Sequence, residues 1–228
     1  MRVHYFTLML VAVACLGSLL VSDTAIEAFA GRHLHHHYAG LSTTEVATFR
    51  IDPAGSKFMA HASRGGLAWF KGHSHHLAVR DFQGTAKLTL DALNPASLEM
   101  SVKADSLEET DAVFTPQQKQ IINKELDDIV LESGKYPEIT FKSTSVTGKL
   151  ASPLTWDVRI TGDLTLHGVT RQITIPATVT LSGDTFRAVG KFEIDRKDFK
   201  VNATNAFKGM VRVQHDVQFD FDIVARKV

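Results

Sequence analysis

Three histidines within four residues, His73, His75 and His76, are the groups in this chain whose type and spacing most suggest chemistry. On a strand, residues two apart share a face, so His73 and His75 would point one way and His76 the other. Neutral imidazole is a common ligand of zinc, copper and nickel. His73 and His75 are therefore the candidate metal ligands, with a further donor to come from His61, His167 or His215. Of those three, only His215 falls on the apolar phase of its strand, as an inward polar group near a cavity would. The same cluster could instead hydrogen-bond a ligand's quinone carbonyl or phosphate at the mouth of an apolar pocket, where a few placed polar groups are usual. The plain alternative is a polar loop at a domain rim, with His167 a turn residue. A second run, His33, His35, His36 and His37, lies in a polar stretch without a period, where chelation would be loose. Gly-x-Ser-x-Gly, a Walker loop and His-Glu-x-x-His are all absent from the sequence. Asp127 and Asp128, beside Glu125 and Glu132, fall on the outer face of an amphipathic segment. The chain is expected not to be an enzyme.

The elements that must position these groups read as strands. From Ala47 onward, apolar and polar residues alternate, the pattern of half-buried strands. Leu98, Met100, Val102 and Ala104 alternate with Glu99, Ser101, Lys103 and Asp105. Trp156, Val158 and Ile160 begin a run whose phase continues through Leu164 and Leu166. Similar runs cover 173–181, 186–194 and 211–223. Turn signals separate them: Asn94-Pro95, Ser152-Pro153, His167-Gly168 and Ser182-Gly183-Asp184. Short turns between long strands favour antiparallel meander pairing. Several strands reach nine or more residues, long for a small sandwich, so the expected fold is all-β, a closed antiparallel barrel of about eight strands. One segment breaks the pattern. Residues 115–131 have helical spacing, with Ile122, Leu126, Ile129 and Val130 on one stripe. Thr115 caps it, Pro116 suits the first position and Gln118 completes a capping box. Gly134 and Pro137 stop it.

The composition is compatible with this. The chain has 228 residues, no formal net charge, 44% hydrophobic and 22% charged residues. These values argue against disorder, collagen and coiled coil. Balanced charge leaves no basic footprint for nucleic acid. A single cysteine, Cys15, excludes a disulfide within the chain. Residues 1–30 read as a secretory signal: Arg2, an apolar run over 6–21 that includes Cys15, then Ala28-Phe29-Ala30 before the cut. Residues 31–46 read as a flexible His-rich arm and 47–228 as the barrel domain. The expected location is the periplasm or the outside of the cell.

Four stretches taken in order carry a family resemblance. They are Phe49-Arg50-Ile51-Asp52-Pro53 with Ser56, Tyr136-Pro137-Glu138-Ile139-Thr140-Phe141-Lys142-Ser143, Asp163-Leu164-Thr165-Leu166-His167-Gly168-Val169-Thr170, and Arg196-Lys197-Asp198-Phe199 with the closing strand. Together they resemble the YceI-like family of exported lipid- and polyisoprenoid-binding proteins, over about residues 48–226. The resemblance implies a lipocalin-like barrel around an elongated apolar cavity for an isoprenoid quinone, a polyprenyl phosphate or a fatty amide, and no catalysis. Four places depart from the family pattern. Arg64 stands where many members have a histidine, and Gly72–His76 is a longer link than usual. Lys200 follows Asp198-Phe199 in place of glycine, and Val130-Leu131-Glu132 replaces Phe-Phe-Asp.

The expected cavity lining is the bulky apolar-phase set: Phe58, Met100, Phe141, Trp156, Val158, Ile160, Phe186, Phe192, Phe219 and Phe221. Each buried methylene of a ligand contributes about 0.8 kcal/mol, so a long prenyl or acyl tail binds with few polar contacts. The bound group is then a lipid and no cofactor is required. The competing reading is a histidine-based metal-binding or stress-response protein on a barrel scaffold, with a transition metal as its cofactor. Protonating the histidines between roughly pH 7 and 5 raises the charge, which favours transient contact with an anionic membrane surface. The sequence leaves the oligomeric state open, a homodimer included.

Overall fold

The computed structural model describes residues 46–66, 72–89, 95–202, 205–206 and 211–228. The expected signal segment and all of the histidine arm before Val46 lie outside the described residues.

The alternating runs form twelve strands: β1 (Val46–Ile51), β2 (Lys57–Gly65), β3 (His75–Val79), β4 (Phe82–Thr89), β5 (Ala96–Lys103), β6 (Leu107–Glu109), β7 (Glu138–Ser152), β8 (Thr155–Leu166), β9 (Val169–Ser182), β10 (Thr185–Asp195), β11 (Asn205–Ala206) and β12 (Val211–Lys227). Six of them are halves of three bent strands. A 3-10 turn at Pro53–Gly55 separates β1 from β2, Arg80-Asp81 separates β3 from β4, and a 3-10 turn at Ala104–Ser106 separates β5 from β6. Two of the bends meet: Arg80 N–H donates to Ser106 O and Lys103 N–H to Asp81 O, each at 3.0 Å. Counting each bent strand once, the ring runs β1/β2, β3/β4, β5/β6, β7, β8, β9, β10, β12 and closes from β12 onto both β1 and β2. This is an antiparallel, eight-walled barrel, and closure pairs its long strands on both sides. The β8–β9 turn shows how local chemistry sets the register. Leu166 pairs with Val169, and the two residues between them, His167 (φ 51) and Gly168 (φ 72), both have positive φ. That is the type I′ geometry that suits the twist of a two-residue hairpin.

The inner faces form two apolar clusters. One contains Phe49, Phe82, Trp156, Val158, Val179, Phe186 and Ala225. Phe49 and Ala225 are fully buried, and the Phe49 ring meets Phe186 edge-on at 5.2 Å. The other contains Leu131, Phe141, Leu164, Leu166, Ile175, Ile194, Phe199 and Val201.

The helix α1 (Pro116–Glu125) starts as the sequence indicates. Gln118 N–H donates to Thr115 Oγ1 at 3.3 Å, and Thr115 N–H donates to Gln118 Oε1 at 2.8 Å. Its end differs. Leu126–Leu131 widen into a π-helical turn, stopped by Glu132 in the left-handed region (φ 48), not by Gly134. The wider turn delays the phase by about one residue. Ile129, placed on the buried stripe by regular spacing, is 55% exposed, and Leu131 takes the buried position.

Candidate functional site

Between the two clusters lies a cavity of about 380 Å³. That is within the range of small-molecule sites. Leu98, Met100, Leu107, Ile139, Ile160 and Phe221 touch both clusters and stay only partly buried. All six line the cavity, so they border the void instead of filling it. α1 and the π turn close one end, presenting Ile122, Leu126, Val130 and Leu131 to the cavity.

Of the expected lining, Phe58, Met100, Phe141, Val158, Ile160, Phe186, Phe192, Phe219 and Phe221 stand on the wall. Trp156 does not. It is buried in the cluster around Phe49, beyond the end of the cavity. The aromatic rings gather on β2, β10 and β12. Phe192 and Phe219 stack at 4.8 Å, and Phe58 lies 6.1 Å from Phe219 and 6.0 Å from Phe82. Two glycines make room for rings. A Cβ on Gly190 would fall 2.5 Å from Phe221 Cζ and 2.4 Å from Pro176 O, and one on Gly162 would fall 2.6 Å from Phe141 Cζ.

Six residues with polar side chains reach the wall: His75, Lys87, Ser97, Glu125, Thr140 and Arg196. The Arg196 guanidinium donates to three main-chain carbonyls, Gln214 O at 3.1 Å, Val201 O at 2.7 Å and Val213 O at 3.3 Å. Burial pulls its pKa below the usual arginine value, with Asp195 opposing. These bonds make it a brace between the 3-10 turn at Arg196–Phe199 and β12.

The histidines pair with carboxylates. His75 Nδ1 lies 2.7 Å from Glu109 Oε2, His76 Nδ1 lies 3.3 Å from Asp111 Oδ2, and His167 Nε2 lies 2.5 Å from Glu132 Oε2. His61 Nε2 is an ion-pair neighbour of Asp220 Oδ2 at 2.9 Å, without hydrogen-bond alignment. Burial pushes Asp220 up, but Lys191 and His61 together hold its carboxyl below the usual range. His73 precedes β3, so the shared strand face expected for His73 and His75 does not form. The two rings flank Phe114 instead, each at 5.4 Å, that of His75 stacked parallel. Among the described residues, no group of three or more His, Cys, Asp or Glu side chains is arranged to hold a metal. His215 is exposed, not inward. The β12 register slips against β2 between Val213 and Val217, which breaks the alternation that had placed it inside. His167 is the expected turn residue and also carries the Glu132 contact, with the Tyr136 ring at 4.4 Å.

Glu109 was not singled out from sequence. Its carboxylate is completely buried beside His75, and its own N–H donates to Asn123 Oδ1 of α1 at 2.8 Å. The signal was a glutamate two residues after Leu107, on the inward phase of a strand.

A closed antiparallel barrel around an apolar void, with a helix over one end, defines a lipocalin-like ligand-binding barrel. Residues 49–225 match the YceI-like domain, and the chain belongs to the YceI-like family. It is 32% identical over 166 residues to Protein YceI of Escherichia coli O6:H1, covering 68% of this chain and 77% of that one. Two solved structures share the fold. BcnA of Burkholderia cenocepacia matches with a TM-score of 0.60 and 24% identity, over 76% of this chain and 98% of that one. A polyisoprenoid-binding domain from Saccharophagus degradans matches with a TM-score of 0.55 and 15% identity, over 81% of this chain and all of that one.

Proposed function

We propose that this protein binds one long apolar lipid, isoprenoid or acyl, in the barrel cavity, and carries or stores it outside the cytoplasm. The observation that carries the reading is the cavity itself, walled by aliphatic and phenyl side chains from all eight strands and the helix. Such a wall rewards length: each buried methylene contributes about 0.8 kcal/mol. The similarity to a polyisoprenoid-binding domain supports the same ligand class. The signal-like residues 1–30 support export to the periplasm or beyond. Transfer between membranes needs brief contact with a membrane surface, and the histidines favour that contact in acid. The reading is of a binding protein, not a catalyst.

The test is native mass spectrometry of the protein purified from its own host, followed by organic extraction. A stoichiometric prenyl or acyl lipid is expected, and Phe219→Asp should lose it. Protein that is lipid-free from its host and takes up no prenyl or acyl lipid on incubation overturns the reading.

A further inference from the structure

We propose that the cavity opens through the barrel wall between β5 and the far half of β7, and that a membrane meets this face when lipid enters or leaves. The inference rests on the lipid-binding reading and names the surface that the transfer uses.

The wall is incomplete there. β5 and β7 pair from Lys103 opposite Glu138 to Glu99 opposite Lys142, and among the described residues no further pair follows. Leu98 N–H turns instead to a side chain, donating to Ser143 Oγ at 2.8 Å. The β7 register against β8 then slips between Ser143 and Ser145. From there to Ser152, β7 is paired among the described residues on its β8 side alone. The residues of this half show the result. Val146, Gly148 and Leu150 stand opposite Ile160, Val158 and Trp156, so each pair shares the inner face. Trp156 and Val158 are buried, yet Gly148 is exposed and Leu150 is 63% exposed. An inward residue is open to solvent only where the neighbouring wall is missing.

The cavity reaches this gap. Its lining includes Ala96 and Leu98 on one lip and Val146 on the other. It also includes Lys87 and Ser97, which stand opposite each other on β4 and β5. These two fall on the outer phase, between the inward pairs Ala86 with Leu98 and Leu88 with Ala96. A void sealed inside a barrel is not lined by outward residues, so this one continues round the edge of β5 to the outside.

The rim fits a bilayer better than another strand. Leu150 and Leu154, the latter 54% exposed, lie on the β7–β8 hairpin as two large apolar groups left to solvent. Lys87 and Lys149 are exposed and form no ion pair among the described residues. Two acids of the same walls are engaged elsewhere: Glu99 pairs with Lys142 at 2.9 Å, and Asp157 accepts from Thr178 Oγ1 at 3.1 Å. Unpaired ammonium groups beside exposed leucines suit the phosphates and acyl chains of an interface. An unpaired strand edge also invites a second strand. Here β7 slips register at both ends of the stretch and carries Lys149, devices that discourage such pairing.

The experiment follows uptake of geranylgeraniol by lipid-free protein from two sources, vesicles of phosphatidylethanolamine and phosphatidylglycerol, and ethanol solution. Leu150 and Leu154 lie outside the cavity lining, so Leu150→Asp with Leu154→Asp should leave affinity from solution within about twofold. Uptake from vesicles should slow at least about tenfold, because two apolar groups no longer enter the bilayer. Ile121→Asp with Ile129→Asp makes the same change at exposed residues of the helix cover and should leave both rates unchanged. Vesicle uptake at the wild-type rate by the hairpin variant overturns this inference, as does slowing of the same size or larger in the helix variant. A wild-type dimer that the hairpin variant dissolves gives the surface to a second copy and also overturns it. Protein that takes up the alcohol from neither source overturns the lipid-binding reading as well.

Discussion

The two ends of the barrel interior are closed in different ways. Around Phe49, Trp156, Phe186 and Ala225 the barrel is plugged by its own side chains, packed with no exposure at Phe49 and Ala225. At the other end a separate segment covers the void. α1 and the π turn are held at one side by the Glu109–Asn123 hydrogen bond and at the other by the Glu132–His167 contact. Of its apolar residues Leu131 is buried, Ile122, Leu126 and Val130 are partly buried, and Ile121 and Ile129 are exposed. Packed side chains contribute stability through dispersion and burial together. A cover held by a few polar bonds contributes little to global stability and opens at low cost. The sheet thus supplies a packed base and the helix a cover of its own, and the void lies between them.

That contrast can be broken from either side. Phe49→Ala leaves a cavity in the plugged end and should cost about 3–5 kcal/mol of global stability. The check is the urea midpoint, which should drop strongly while the helix keeps its place over the void. A small loss would mean that the two ends are equally soft. Thr115→Ala removes the cap of α1 and should cost about 0.5–2 kcal/mol, confined to the helix. Amide exchange over 116–131 and lipid release should speed up, with the urea midpoint nearly fixed. A global loss would show that the cover is part of the core. The smallest effect is on the outer surface at the plugged end, where Arg187 pairs with Asp222. Arg187 holds the Asp222 carboxyl below its ordinary value of 3.8, against the opposing pull of partial burial. A depressed carboxylate stabilises the fold above its unfolded pKa and loses that contribution as pH falls through the folded value. Exposed pairs are screened, so Arg187→Met should lower stability near pH 6 only slightly, by less than either change above. Urea midpoints of variant and wild type should converge as pH falls below 3.8 and on through the depressed folded value. A gap that widens in acid would contradict this.

The barrel was legible in the sequence because strand alternation has a period of two and ring closure follows from long runs with short turns. Alternation states which face a residue takes but not its level along the axis. For that reason Phe219 and Trp156 look alike in sequence, yet one borders the void and the other lies beyond it. Local departures from regular geometry were illegible for the same reason. The register slip near His215 and the π turn at Leu126–Leu131 each move the phase by about a residue, which carries His215 and Ile129 outward. The His75–Glu109 pair joins residues on two different strands, and only the fold brings β6 beside β3.

The glycines under the rings have a consequence for how such a protein changes over generations. Phe221 and Phe141 lie where the side chains of Gly190 and Gly162 would otherwise stand. The position of those two rings on the wall is therefore set partly by atoms missing behind it. Replacing either glycine with alanine adds one carbon, which must displace the ring or the nearby main chain. A single change at either glycine would thus alter the void without replacing any residue that lines it.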